Sequence, residues 1–256
     1  MAMLNQGAPP LPACTLGVVV ICGALQVYVF LMDPPLSQVT LSPVLVIYGH
    51  QFWRIFTSAF FHGGFMHIAM NMMSIVSLGG SFERTVGSIT MAFTLAWQIL
   101  LSGIFNVFCS WFLSLVLTGD LKYIKQQSVG FSGVIFALCV VDIYRGAGGT
   151  RSIFGFFDVP AKVYPWILLI MLQFLIPNVS FMGHLSGILT GTIQAYGGLN
   201  CLLPSVDMCR LVEAKFMGSN PRCILTPNDA TIYRENLFDL GYAHFLLLSH
   251  LLLTLI

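Results

Sequence analysis

The sequence predicts an all-α, polytopic membrane protein: a bundle of six transmembrane helices with a seventh hydrophobic segment at its C-terminal end. Two observations carry this prediction. Of the 256 residues, 57% are hydrophobic and only 8% are charged, and the mean hydropathy is +0.85, whereas a soluble domain carries about 25% charged residues. In addition, six apolar runs approach the ~20 residues that a helix needs to cross a bilayer. The lipid bilayer is therefore the expected surroundings of this chain.

The six predicted spans define a core domain at 14–197, between a short N-terminal segment at 1–13 and a tail at 198–256. The third span is long enough to tilt or to project beyond the bilayer. The last three are short, and we expect them to be buried among the other helices. The spans lie at about 14–32, 65–80, 88–117, 129–144, 163–176 and 179–196.

The distribution of basic residues predicts the orientation of these spans. With a cytoplasmic N-terminus, eight of the eleven Lys and Arg residues fall on the cytoplasmic side and three on the opposite side. The positive-inside rule favours that arrangement. Segment 1–13 contains no Lys or Arg, so it lacks the charged region of a cleaved signal peptide and the Arg-rich helix of a mitochondrial leader. We expect the first span to act as an uncleaved insertion signal.

Charge and cysteine content exclude several other classes of protein. A net charge of +1 provides no basic surface for nucleic acid. The seven cysteines form no CxxC pair, and four of them lie in apolar runs, where Cys behaves as a small hydrophobic residue. We therefore expect neither a disulfide framework nor a cysteine metal site.

Ser132 opens the fourth span within the sequence Gly130-Phe131-Ser132-Gly133. The flanking glycines leave the hydroxyl accessible, and the free N–H groups of a helix N-terminus favour a developing oxyanion. The plainer interpretation is a transmembrane serine bonded to its own i−4 carbonyl. Taken alone, the motif does not decide between these interpretations.

His184 lies near the start of the sixth span, and an imidazole in hydrocarbon requires a partner. Gly183, Gly187 and Gly191 recur every four residues and form a flat helix face that a neighbouring helix can approach closely. At 1.5 Å per residue, Ser132 and His184 both lie roughly 5–8 Å below the outer end of their spans. They can therefore face each other, although a glycine packing face with an incidental histidine would also fit.

His67 and Asn71 are spaced i, i+4 at the start of the second span, at a similar depth. N–H donors that point into the layer of Ser132 are what an oxyanion hole requires, but the pair could instead hold the second span in place. His62 precedes this span. A metal bound by His62 and His67 would lack a third ligand on that side, so we expect no metal.

Taken together, these motifs resemble the rhomboid intramembrane serine proteases. The resemblance covers about residues 14–197 and includes Trp53-Arg54 in the first long loop and the run 78–84 after the second span. The segments around Ser132 and His184 are most similar to the eukaryotic rhomboid-related branch of the endoplasmic reticulum. That branch and the missing leader imply a location in the endoplasmic reticulum or secretory pathway.

The resemblance implies a role for each motif residue. Ser132 would be the nucleophile and His184 the general base and acid, a dyad without an orienting Asp, and His67 and Asn71 would form the oxyanion hole. The supporting residues would be His62, Gly130, Gly133, Phe136, Gly183, Gly187, Trp53 and Arg54. Phe136 stands where the family often has a Tyr against the base. The implied substrates are single-span membrane proteins, and no cofactor is implied.

Two other functions and the tail remain open. An inactive rhomboid-like protein that binds transmembrane helices in quality control would normally lack the serine or the histidine, and this chain has both. A channel or transporter would normally place Asp or Glu in its spans. The tail is broken by prolines, and its end at 242–256 could be a seventh span, an interfacial segment or a sequence artefact; we favour membrane association.

Overall fold

A computed structural model of the chain describes residues 10–146, 149–153, 155–176, 179–217 and 223. The described part is mainly helical, which confirms the all-α class. Segment 1–9 and the hydrophobic end at 242–256 lie outside the described residues. The helices are α1 (Ala13–Met32), α2 (Pro43–Ile47), α3 (Arg54–Phe60), α4 (Phe65–Ser74), α5 (Gly80–Val86), α6 (Ser88–Trp111), α7 (Lys122–Lys125), α8 (Ser132–Arg145), α9 (Tyr164–Leu175), α10 (Phe181–Ala195) and α11 (Val206–Val212).

Each of the six predicted spans is helical in the structure. Among the described residues, three helices are long and apolar enough to cross a membrane: Ala13–Met32, Phe65–Val86, which joins α4 to α5, and Ser88–Thr118, which extends α6. A shorter apolar helix covers Ala161–Leu175. Helices are the expected form of these apolar runs, because hydrocarbon offers no partner for backbone N–H and C=O groups. The number of six spans and the domain limits at 14–197 and 198–256 stay predictions.

The three short helices differ in their burial. α8 and α10 are largely buried, whereas α9 buries only Pro165 and Leu169 and leaves Ile170 and Phe174 exposed. The expectation that all three are enclosed by other helices is therefore wrong for α9. The physical reason lies in its sequence, since a Leu-rich helix without glycine, in which Gln173 is the one amide side chain, needs little protein contact in lipid.

A short β-hairpin between α8 and α9 was not expected from the sequence. β1 (Thr150–Ile153) pairs antiparallel with β2 (Phe157–Pro160). An ion pair of 2.6 Å between Arg151 and Asp142 ties the hairpin to the end of α8. Strands of four residues with no clear alternation give too weak a pattern to be recognised in a sequence of this composition.

The core lies where α1, α4, α5, α6 and α8 meet, and the largest buried side chains there include Phe82 and Phe131. The fully buried Glu83 caps the N-terminus of α1: its carboxylate accepts hydrogen bonds from the N–H groups of Cys14 and Thr15 and from the hydroxyls of Thr15 and Ser88, at 2.6–2.9 Å. Negative charge is favoured at a helix N-terminus. This carboxylate therefore joins α1, α5 and α6.

Candidate active site

Ser132 is the first residue of α8, and the loop that leads to it is fixed by backbone contacts. Gly130 has φ +113°, a conformation that favours glycine, and its N–H donates to the carbonyl of Ser58 at 2.8 Å. The next N–H, of Phe131, donates to His62 Nε2 at 3.4 Å. The span therefore begins at Ser132 and not at the expected 129, and the half-buried serine stands at a helix N-terminus.

His184 lies in the first turn of α10, directly opposite Ser132. Ser180 caps this helix, since its hydroxyl accepts a hydrogen bond from the N–H of Gly183 at 3.0 Å. The side chain of His184 is 5% exposed, and its Nε2 lies 3.0 Å from the Oγ of Ser132. When the hydroxyl donates this hydrogen bond, Nε2 is the unprotonated nitrogen, which can accept the serine proton.

The ring of Phe136, one turn along α8 from Ser132, holds the imidazole of His184 in place. The two rings are stacked, with centroids 4.7 Å apart and planes inclined by 24°. His184 Nδ1 is buried and makes no hydrogen bond to the described residues. Among the described residues, the imidazole is therefore oriented by packing against Phe136 and not by a hydrogen bond to Nδ1.

The close approach of α8 and α10 depends on glycines from both helices. A Cβ atom on Gly133 would lie 3.2 Å from the carbonyl oxygen of Gly183, and one on Gly187 would overlap the carbonyl oxygen of Gly133. Gly191 continues the same contact one turn further, against Ala137. The contact brings the first turns of the two helices together, and with them Ser132 and His184.

His67 lies beside the loop that precedes Ser132. Its Nδ1 accepts a hydrogen bond from the N–H of Gly63 at 3.4 Å, so Nε2 carries the ring proton. That Nε2 edge lies against Gly130, where a Cβ atom would come within 2.7 Å of it. The imidazole N–H of His67 therefore lies beside Gly130, which precedes Ser132 by two residues in the chain.

Asn71 is buried one turn further along α4, and among the described residues no hydrogen bond joins it to Ser132. Its Nδ2 donates to the carbonyl of His67 at 2.8 Å, while its Oδ1 has no hydrogen-bond partner among the described residues. The amide retains a second N–H. Its predicted place in the oxyanion hole stays a prediction.

His62 supports the site from the loop between α3 and α4. Its ring packs edge-on against His67 with centroids 5.1 Å apart. Burial, together with the neighbouring His67, lowers the pKa of His62 to about 4, against a smaller opposite effect of the Phe60 carbonyl. His62 is therefore neutral near pH 7, as its acceptor role toward Phe131 requires.

Arg54, which follows Trp53 at the start of α3, organises the first long loop. Its guanidinium donates to the carbonyls of Ser37 and Thr40, both at 2.8 Å, and to the side chain of Gln51 at 2.6 Å. Trp53 is exposed. The supporting role that the resemblance implies for both residues stays a prediction.

Sequence reasoning missed Asn106 on α6. Its Nδ2 donates to the hydroxyl of Ser128 at 3.1 Å and lies 3.4 Å from the Cβ position of Gly183. A signal was present: polar residues recur every fourth position along α6, at Thr94, Gln98, Ser102, Asn106 and Ser110. That spacing places them on one helix face, turned away from lipid.

No group of three His, Cys, Asp or Glu side chains within the described ranges is arranged to hold a metal ion. The expectations of no metal and no cofactor stay predictions.

The helical bundle and the paired Ser132 and His184 define the class of this molecule: an integral membrane protein with a serine and a histidine in contact at the N-termini of two helices. Its sequence matches the family model described as Rhomboid domain over residues 49–201. The chain belongs to the Rhomboid family, as the motifs indicated.

Three curated relatives show the extent of the similarity. "Rhomboid-like protein 15" of Arabidopsis thaliana is 33% identical over 82% of this chain and 53% of its own length. "Rhomboid-related protein 4" of Mus musculus is 34% identical over 78% of this chain and 60% of its own. "Rhomboid-type serine protease 2" of Debaryomyces hansenii is 32% identical over 60% of this chain and 53% of its own. The chain thus spans about half to three-fifths of the length of these relatives.

Proposed function

We propose that this chain is an intramembrane serine endopeptidase, with Ser132 as nucleophile and His184 as general base and acid. The observation that carries the proposal is the 3.0 Å contact between Ser132 Oγ and His184 Nε2. Membership of a family in which some relatives are named serine proteases supports it. A hydroxyl and an imidazole at hydrogen-bond distance are the minimum that nucleophilic acyl transfer requires.

The mechanism follows the usual course of serine catalysis. His184 Nε2 takes the hydroxyl proton as Ser132 Oγ attacks the scissile carbonyl carbon, and it returns that proton to the amine leaving group when the peptide bond breaks. Water then hydrolyses the acyl-enzyme with His184 again acting as base. The N–H of Ser132, the Nε2–H of His67 and the amide of Asn71 are the proposed donors to the oxyanion. No ATP, metal or organic cofactor takes part.

The proposed substrates are single-span membrane proteins. Since Ser132 opens a helix of the membrane domain, the scissile bond must come from a chain that reaches it there. A helix hides its carbonyls in hydrogen bonds, so the substrate must unwind locally, and residues such as Gly and Pro lower that cost. We therefore expect cleavage near such residues, close to one end of the substrate helix.

Cleavage of a single-span test substrate in proteoliposomes examines this proposal. The parent protein, Ser132→Ala, His184→Ala and the control Ser74→Ala are compared; the hydroxyl of Ser74 bonds to its own helix at Met70. We expect the parent and the control to cleave, and the Ser132 and His184 variants to lose at least 10³-fold in rate. Cleavage that persists in Ser132→Ala would refute the nucleophile. If the parent fails to cleave a panel of substrates, the inactive, helix-binding alternative takes its place.

We further propose a cytoplasmic N-terminus and residence in the endoplasmic reticulum. The eight-to-three division of basic residues supports the orientation. Relatives do not point to a single organelle, since "Rhomboid-like protein 14, mitochondrial" of Arabidopsis thaliana is 34% identical over 72% of the chain. Fluorescence microscopy of the tagged full chain with markers for both organelles distinguishes them. Co-localisation with the mitochondrial marker would overturn the second part of the proposal.

A further inference from the structure

A cluster of four polar side chains joins α6 to α10 away from the candidate active site. Gln98 on α6 donates through Nε2 to Gln194 Oε1 on α10 at 2.8 Å. Thr94 and Thr190 each lie four residues from one of these glutamines, on the same helix face. All four side chains are between 0 and 3% exposed. We call Thr94, Gln98, Thr190 and Gln194 the amide cluster.

The direction of the two helices places the threonines on opposite sides of the glutamine pair. Along α6, the chain approaches the candidate active site from Gln98 to Asn106. Along α10, the chain leaves that site from Gly183, which lies near Asn106, to Gln194, which pairs with Gln98. The helices are therefore antiparallel. Thr190 lies one turn, about 5.4 Å, from the glutamine pair toward His184, and Thr94 lies about the same distance on the other side.

Three oxygen atoms of the amide cluster are buried without a hydrogen-bond partner among the described residues. They are Thr94 Oγ1, Gln98 Oε1 and Thr190 Oγ1. A polar atom left without a hydrogen bond in a protein interior destabilises the folded state. Three of them within one contact between two helices indicate that a ligand with both donors and acceptors belongs there.

The two threonine hydroxyls differ from several other helical hydroxyls among the described residues. Thr192, two residues from Thr190, donates to the carbonyl of Ile188 at 2.8 Å, and Ser74 and Thr85 bond in the same way to carbonyls of their own helices. This i−4 bond is the usual solution for a hydroxyl inside a helix. Since Thr94 and Thr190 do not form it, their hydroxyls are oriented for another partner.

We propose that the amide cluster is an internal water site, with one water on each side of the Gln98–Gln194 pair. On one side a water bridges the hydroxyl of Thr190 and Gln98 Oε1. On the other side a second water bridges the hydroxyl of Thr94 and an amide of the Gln98–Gln194 pair. A buried water makes about three hydrogen bonds to groups of this kind, and a bridging water is nearly as favourable as a direct bond. The hydrated cluster links α6 to α10 and holds the helix that carries His184.

Replacement of each threonine by valine tests the proposal through the sign of the change in stability. Thr94→Val and Thr190→Val keep the side-chain shape but remove the hydroxyl. If the hydroxyls bind water, each variant loses those hydrogen bonds and its Tm falls, by about 2–4 °C per variant. If they are simply unsatisfied, valine removes a burial penalty, and Tm rises or stays the same. The second result would overturn the proposal.

Thr192→Val is the matched control on α10, because its hydroxyl already bonds within its own helix. We expect its Tm to change less than that of either cluster variant, and an equal fall would show that the loss is a general effect of valine in these helices, against the proposal. A crystal structure that shows ordered solvent gives a direct second test. We expect water within 2.7–3.2 Å of Gln98 Oε1 and both threonine oxygens. Direct bonds between these side chains, with no water, would contradict the proposal.

Discussion

Replacement of Gly187 by alanine should push α10 away from α8 and slow cleavage by on the order of 10²-fold. A Cβ atom at this position would overlap the carbonyl oxygen of Gly133 and lie 2.9 Å from the Cβ of Phe136, where ordinary contact begins at 3.4 Å. Neither atom can rotate away, because one is main chain and the other is attached directly to it. We therefore expect α10 to move by about 1 Å to restore normal van der Waals distances.

A displacement of this size would break the contact between the two proposed catalytic residues. The distance from Ser132 Oγ to His184 Nε2 would grow from 3.0 Å to roughly 4 Å, beyond the range of a hydrogen bond. Misplacement by 1 Å costs on the order of 10²-fold in rate, and overpacking of this kind costs about 1–3 kcal/mol in stability. The assay is the rate of cleavage of a single-span substrate by the variant in proteoliposomes, alongside its Tm.

Gly23→Ala on α1 provides the matched control. Among the described residues, no atom outside its own stretch of helix lies within 4 Å of the position that its Cβ would occupy, and alanine favours helix by about 1 kcal/mol over glycine. We expect this variant to cleave at the parent rate and to keep or raise its Tm. Cleavage by Gly187→Ala at the parent rate would refute the argument that this glycine contact places His184 against Ser132.

Three further predictions concern residues around the site. Glu83→Gln replaces acceptors of four hydrogen bonds with a group that presents N–H donors to them, and we expect a loss of roughly 2–4 kcal/mol, measured by chemical denaturation. The side chain of lysine in Arg54→Lys cannot reproduce the contacts to Ser37, Thr40 and Gln51. We expect the free energy of unfolding to fall by about 1–3 kcal/mol with cleavage retained, and an unchanged stability would contradict this. Burial lowers the pKa of His62 from 6.5 to about 4, so its contribution to stability is complete above pH 6.5 and is lost as the pH falls toward 4. The expected loss is roughly 3 kcal/mol. The stability of His62→Phe should depend less on pH over that range, and an equally steep dependence would exclude His62 as the cause.

Much of the fold could be predicted from the sequence, because hydrocarbon allows few solutions. The six apolar runs form helices because lipid offers no hydrogen-bond partners to backbone N–H and C=O groups. The ends of the helices were harder to predict, because they depend on local backbone conformation. For example, α8 begins at Ser132 and not at 129, since Gly130 adopts a positive φ. The β-hairpin at 150–160 was missed because strands of four residues leave almost no pattern.

The candidate site could be proposed from the sequence as a set of residues but not as a set of contacts. The matching depths of Ser132 and His184 and the glycines at every fourth position indicated which helix faces meet. The rotation of each side chain could not be derived in this way. The bond from Phe131 to His62 and the contact of Asn106 with Ser128 depend on such rotations.

The covalent labelling of Ser132 tests the central claim most directly. A fluorophosphonate reacts only with a serine whose hydroxyl is activated, as the contact with His184 would provide. The intact protein is treated in proteoliposomes and the modified residue is located by mass spectrometry. We predict a single adduct on Ser132 in the parent and its loss in His184→Ala, with Ser74→Ala labelled like the parent. No adduct on Ser132 in the parent, or equal labelling without His184, would contradict the account.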